Sequence, residues 1–183
     1  MKEALDNVED GVKVGGETLK AVRFADDQAM IASTEEGLQR IMDNTVRVIE
    51  SYGMRVNTKK TKVMRISRTP GDVAIKVQGV QLEQVENFKY LGSQLSANGS
   101  SEKDIRIRIG MAKSAFRKLQ CTLTGGMRRE VRKKLIKSLV WSVVMYGSET
   151  WTLRKADVRR LEAFEMWIWR RMEKVKWTEK LTN

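Results

Sequence analysis

Asp26 and Asp27 stand side by side in the stretch Lys20-Ala-Val-Arg-Phe-Ala-Asp-Asp-Gln-Ala-Met-Ile-Ala-Ser33. Ala21, Val22 and Phe24 before them, and Ala29, Met30 and Ile31 after them, are apolar and β-prone, so the stretch reads strand, tight turn, strand. Adjacent carboxylates at a hairpin tip repel each other, and folding alone gives no reason to pair them there. A divalent cation does, and hard oxygen ligands on a short turn suit Mg²⁺ or Mn²⁺. Asp is also common in turns because its side chain bonds nearby backbone, so the pair alone reads as an ordinary solvated turn. The chain has no histidine and one cysteine, Cys121. That excludes Ser-His and Cys-His nucleophile pairs, histidine-ligated and multi-cysteine zinc, and an internal disulfide framework. Chemistry is left to carboxylates, lysines, hydroxyls and bound metal.

Charge narrows the partner. The 183 residues carry a net charge of +12. Residues 1–100 balance 14 Lys+Arg against 14 Asp+Glu, whereas residues 101–183 hold 21 against 9. A neutral half with acidic chemistry joined to a basic half suits a polyanion, held by one part and processed by the other. No apolar run is long enough to span a bilayer, so no membrane partner is expected.

These residues need elements to position them. Gly15-Gly16 between Val12/Val14 and Leu19/Val22 predicts a hairpin that feeds the Asp-Asp hairpin. A helix follows, capped by Ser33 or Thr34, with Ser33 and Glu36 at capping-box spacing. Its stripe is Leu38, Ile41, Met42, Thr45, Val48, Ile49 and Tyr52, and Gly53 stands past its end. The helix is expected across one face of a sheet made by the hairpins. Residues 54–67 return as strand, turn, strand, with Lys59, Lys60 and Lys62 crowding the turn. Pro70-Gly71 is a turn, and Val73–Val77 and Val80–Leu82 are β segments. Ser96-Ala-Asn-Gly-Ser-Ser101 is a boundary loop. Beyond it the pattern is helical over 102–120, 127–146 and 155–175. Trp141, Trp151, Trp167, Trp169 and Trp177 are expected as core and helix contacts rather than base-stacking platforms, with Trp177 the most exposed.

The order of these pieces resembles the palm and thumb of reverse transcriptases of non-LTR (LINE-type) retrotransposons. Four blocks carry the resemblance: Phe24-Ala-Asp-Asp27; Gly53-Met-Arg-Val-Asn-Thr-Lys-Lys-Thr-Lys62; Phe88-Lys-Tyr-Leu-Gly92; and Tyr146-Gly-Ser-Glu-Thr-Trp151 with Leu161-Glu-Ala-Phe-Glu165. It implies an α+β chain. A partial palm of antiparallel hairpins with a packed helix would span 1–95, a helical basic thumb 96–150, and a helical extension 151–183.

The resemblance also implies RNA-directed DNA polymerase chemistry, in which two Mg²⁺ or Mn²⁺ ions bridge carboxylates and an incoming deoxynucleoside triphosphate. Asp26 would be the main ligand, with Asp27 assisting. Lys60 would stand near the departing pyrophosphate, with Lys59 and Lys62 as rivals. Phe88, Lys89, Tyr90, Leu91 and Gly92 would hold the primer end. Lys113, Arg117, Lys118, Arg128, Arg129, Arg132, Lys133 and Lys134 would contact phosphates of the template–primer duplex without reading sequence. An intracellular setting, nuclear or cytoplasmic, follows from the same resemblance.

The chain departs from the family in one respect that bears on activity. A complete palm takes another metal-binding aspartate from an earlier strand, and nothing around Glu9 and Asp10 resembles that block. The expectation is the C-terminal part of a longer polymerase or a relic reading frame, inactive in isolation. Two other classes are open: a nucleic-acid-binding protein without catalysis, and a different two-metal nuclease or phosphatase.

Overall fold

The computed structural model describes residues 10–67, 69 and 71–179. Residues 1–9, Pro70 of the expected turn and the exposure of the Trp177 side chain lie outside what it describes. Short strands and one long helix fill the first half and helices the second, which makes the chain α+β. Two compact units divide it: residues up to Leu91 with Ala97–Gly99, and Gly92–Ser96 with residues from Ser100 onward. No helix among the described residues is long and apolar enough to cross a membrane.

In the first unit, β1 (Val12–Val14) pairs antiparallel with β2 (Glu17–Leu19), and β3 (Ala21–Phe24) with β4 (Asp27–Met30). Helix α1 (Glu35–Ser51) follows. Its cap is Thr34, whose Oγ1 accepts from the Gly37 N–H at 3.1 Å. The expected Ser33–Glu36 box does not form, because the Ser33 hydroxyl instead donates to the Gly11 carbonyl. The end of α1 matches expectation: the Gly53 and Met54 N–H groups donate back to Glu50 and Ile49.

The remaining strands are short. β5 (Lys62–Val63) runs parallel to β8 (Glu83–Gln84), and β6 (Lys76–Val77) pairs antiparallel with β7 (Val80–Gln81). Among the described residues every sheet has only two strands, so the hairpins do not merge into the single sheet expected under the helix. Of Val73–Val77 only the last two residues are strand. The Ala74 and Lys76 N–H groups bond the side chains of Glu35 and Gln39 on α1, so helix side chains replace a neighbouring strand there, and the Val73 N–H bonds the Gln84 side chain on β8. Met42, Val63, Ile75, Val77 and Leu82 form the core, with Met30, Leu38, Val46, Val56 and Val73 against it.

β9 (Asn87–Tyr90) and β10 (Ser93–Ser96) flank the turn Leu91-Gly92, and the division between the units falls in that turn. The second unit continues with α2 (Glu102–Lys118), the short α3 (Gln120–Leu123) and α4 (Arg129–Ile136). A π-helical segment, Lys137–Trp141, then leads without a break into α5 (Ser142–Met145), so the helix expected over 127–146 forms with a widened turn inside it. Ser138 donates to the Lys134 and Leu135 carbonyls, and Ser142 to that of Ser138. Hydroxyls competing for helix carbonyls bend and widen a helix at such places. The last long helix is α6 (Lys155–Met172).

Ala112, Phe116, Leu123, Ile136, Val140, Val144, Phe164, Ile168 and Met172 make one shared core in this unit. Trp141, Trp151, Trp167 and Trp169 pack against it half-buried. Phe116 and Trp167 meet edge to face at 5.3 Å, and Trp141 and Phe164 at 5.6 Å. Each such pair adds about 1 kcal/mol beyond the area it buries.

Candidate active site and nucleic-acid interface

The Asp-Asp hairpin closes as tightly as the strand register allows. Phe24 opposes Asp27, leaving Ala25 and Asp26 as a two-residue loop. Ala25 takes the first loop place with φ 53, where hairpins usually put glycine. A left-handed alanine costs about 1 kcal/mol. Opposed residues share a face, so Asp27 lies on the face of Phe24, Val22 and Ala29. Met30, on the other face, packs against the unit's core. Phe24 is 66% exposed, and both aspartates are exposed.

Tyr90 joins this hairpin from β9. Its hydroxyl donates to the Val22 carbonyl at 3.0 Å. Burial, and to a lesser degree the negative charge of Asp27, push the Tyr90 phenol above its usual 10.0. The structure thus brings one residue of the Phe88–Gly92 block to the Asp-Asp strands. Phe88 is half-buried, and Lys89 is exposed.

The lysine turn is built by Asn57. Its Oδ1 accepts from the Lys59 and Lys60 N–H groups at 3.1 and 3.2 Å, and its carbonyl accepts from the Thr61 hydroxyl at 2.9 Å. An Asx turn of this kind holds the backbone and leaves the lysine side chains outward. The Lys62 ammonium is paired with Glu83, its partner across β5 and β8. Lys59 and Lys60 are exposed. Among the described residues no hydrogen bond or ion pair links Lys60 to Asp26 or Asp27.

Asp10, the acid just upstream of the first hairpin, is held by Arg40, with Nε to Oδ2 at 2.8 Å and Nη2 to Oδ1 at 2.6 Å. That hydrogen bonding keeps its carboxyl below the usual 3.8. Among the described residues, no three acidic or cysteine side chains gather as metal ligands would. The donor set at the hairpin is therefore two exposed carboxylates. They suit a hard cation as partial ligands and leave most of its coordination sphere to other groups.

The eight basic residues expected at the duplex divide by their partners. Arg129 pairs with Glu173, and Lys133 with Glu130. Arg132 is nearly buried; its Nη1 donates to the Met172 carbonyl at 2.8 Å and caps the end of α6. The Lys113 ammonium sits 5.4 Å from the Trp167 ring centre. Arg117, Lys118, Arg128 and Lys134 are exposed, with no ion pair among the described residues.

Residues that sequence reasoning passed over form a buried network in the second unit. Asp104 and Arg108 on α2 are 3% and 6% exposed. Asp104 accepts from the Gln94 N–H and from the Trp151 indole N–H, each at 2.9 Å. Arg108 donates from Nη2 to the Gly92 carbonyl at 2.7 Å and lies 4.5 Å from the centre of the Tyr146 ring. The signal was the i, i+4 ridge that Asp104 and Arg108 share with the fully buried Ala112.

Residues 1–95 match the family described as reverse transcriptase (RNA-dependent DNA polymerase). Among curated proteins, the chain is similar to a putative uncharacterized transposon-derived protein of Caenorhabditis elegans, 30% identical over 164 residues. It is also similar to a retrovirus-related Pol polyprotein from a type-2 retrotransposable element of Drosophila melanogaster, 26% identical over 162 residues. A third relative, from a type-1 retrotransposable element of Nasonia vitripennis, is 24% identical over 159 residues. The matches cover 88%, 80% and 80% of this chain, but 59%, 15% and 15% of the relatives' own lengths. These relatives agree with the resemblance to reverse transcriptases of non-LTR retrotransposons.

Proposed function

The chain belongs to the reverse transcriptase family, and on that premise we propose that its first unit supplies part of a nucleotidyl-transfer site. In this reading Asp26 and Asp27 are metal ligands, and Lys60 faces the departing pyrophosphate. Phe88 to Gly92 hold the primer end. Bound Mg²⁺ or Mn²⁺ would supply activation of the primer 3′-hydroxyl and neutralisation of the triphosphate. The chain's own residues orient: the closed turn fixes the two carboxylates, and the Asn57 turn fixes the backbone under Lys60. The unpaired Arg117, Lys118, Arg128 and Lys134 would bind duplex phosphates, with an RNA template and DNA primer as the partner. The palm and thumb arrangement is part of the same reading.

The observation that carries it is the bond from Tyr90 to Val22, which ties the primer-end block to the strand leading into Asp26. With two carboxylates in the donor set, the chain alone is expected to be inactive in primer extension.

The test is extension of a DNA primer on an RNA template with Mg²⁺ or Mn²⁺, beside an Asp26→Asn/Asp27→Asn control. No extension with salt-sensitive duplex binding fits this reading of the isolated chain. Extension by the parent and none by the control overturns the inactivity and upholds the site. Extension that survives the control removes both aspartates from the site. A second reading, nucleic-acid binding without catalysis, draws on the same Arg117, Lys118, Arg128 and Lys134; it requires binding to be indifferent to Asp26→Asn and sensitive to Arg128→Glu.

A further inference from the structure

We propose that Arg108 is a positioning residue that fixes the Leu91-Gly92 turn, and that the fixed turn lets the chain distinguish a recessed primer 3′ end from plain duplex. The proposal rests on the preceding reading of Phe88 to Gly92 and names the residue that sets their end.

The turn is under strain. Leu91 has φ 47 and Gly92 φ 84, so both loop residues are left-handed, the geometry that hairpins ordinarily fill with Asn-Gly. Leu91 is 37% exposed, so burial does not explain a leucine there. The Gly92 end of the turn is held from α2. The Gly92 carbonyl receives the Arg108 guanidinium at 2.7 Å. A Cβ on Gly92 would lie 3.3 Å from Tyr146 Cε1, and a Cβ on Gly147 would strike the Ser93 hydroxyl at 2.6 Å. The Tyr146-Gly147 segment therefore lies close against Gly92-Ser93.

Arg108 is more than a hairpin needs. A buried guanidinium is costly to desolvate, and its Nε has no hydrogen-bond partner. It is kept against Tyr146, with Asp104 Oδ1 at 3.9 Å from Nε. Asp104 in turn is fixed by the Gln94 N–H and the Trp151 indole. Arg108 thus reaches the carbonyl at the end of a strained turn, and Tyr146 and Asp104 lie against its guanidinium. Strain that its surroundings over-determine in this way is characteristic of sites that must be preorganised. The network also gives two of the sequence blocks one physical purpose: Tyr146 and Trp151 hold the groups that hold Gly92.

The experiment measures binding of the full chain to an RNA–DNA duplex with a recessed DNA 3′ end and to a blunt duplex of equal length. The parent is compared with Arg108→Lys and Tyr146→Leu, each checked by thermal melting. Lysine keeps the charge and the stem but loses the planar fork. The expected result is a recessed-end preference in the parent that falls about tenfold in Arg108→Lys, as loss of a charged hydrogen bond implies. Blunt-duplex affinity and its salt slope stay unchanged. Tyr146→Leu, which is exposed enough to fold, moves the same way and decides the matter if Arg108→Lys does not fold. Retention of the parent's preference in the folded variants overturns the inference and leaves the primer-end reading standing. Equal loss on both duplexes assigns Arg108 a structural role only and also overturns it. A parent with no recessed-end preference overturns the primer-end reading itself, and this inference with it.

Discussion

The Tyr90 hydroxyl donates to the Val22 carbonyl across 68 residues of chain, and the charge of Asp27 is felt at the same phenol. Burial raises the Tyr90 pKa first and Asp27 second, so the folded value stands above the unfolded 10.0. Its contribution to stability is fully present below pH 10.0 and is lost as pH rises through the folded value. In a tyrosinate absorbance titration, with Tyr90→Phe to assign the signal, Asp27→Asn is expected to bring the value down without restoring it to 10.0. Tyr90→Phe is expected to cost about 1 kcal/mol, read by denaturant unfolding at neutral pH.

Ala25 tests how tightly the Asp-Asp turn is specified. Glycine relieves the left-handed strain but gains chain entropy when unfolded, so Ala25→Gly is expected to change stability by less than about 0.5 kcal/mol. A β-branched residue cannot take φ 53 without clashing, and Ala25→Val is expected to lose about 2 kcal/mol. Unfolding curves of the two variants check the sign and the order.

The basic residues of the second unit are expected to separate by experiment. Arg132→Ala removes a nearly buried cap on the Met172 carbonyl and should destabilise by about 2 kcal/mol. Arg128→Ala and Lys134→Ala are expected to stay within about 0.5 kcal/mol of the parent. If these two meet phosphates, each substitution lowers the slope of log affinity against log salt by about 0.9. Fluorescence anisotropy over a salt series measures that slope, and melting measures the first effect.

Acid is expected to release Asp10. Its folded pKa is depressed by the Arg40 hydrogen bonds, so the stability this pair contributes is present above 3.8 and disappears as pH falls through the lower, folded value. Arg40→Gln is expected to flatten that part of the pH–stability curve. An NMR titration of the Asp10 carboxyl then gives a value nearer 3.8.

Legibility followed the range over which each residue acts. The Asp-Asp turn, the stripe of α1 and its end past Tyr52 are local patterns, and the sequence showed them. The cap was ambiguous because Ser33 and Thr34 are both good caps. Only the position of the Gly11 carbonyl decided which hydroxyl was free to cap. The widened turn at Lys137–Trp141 contains neither proline nor glycine; it comes from serines that look innocuous in a helix. Asp104 and Arg108 lie on a ridge with Ala112, but an acid and a base four apart read as an exposed pair, and their partners Gln94, Trp151 and Gly92 come from other elements. The candidate site divides in the same way: the Asp-Asp and lysine turns are local patterns, whereas the contact from Arg108 to Gly92 exists only in the folded chain.

The Gln39 side chain both donates to the Lys76 carbonyl and accepts from the Lys76 N–H, each at 2.8 Å, while Glu35 accepts from Ala74. A ladder position is thus completed by a helix. The amide protons of Ala74 and Lys76 are shielded by groups that exist in place only while α1 is wound. Their exchange with solvent deuterium therefore reports the unwinding of α1 rather than the fraying of a strand, and makes helix and hairpin a single cooperative unit of opening.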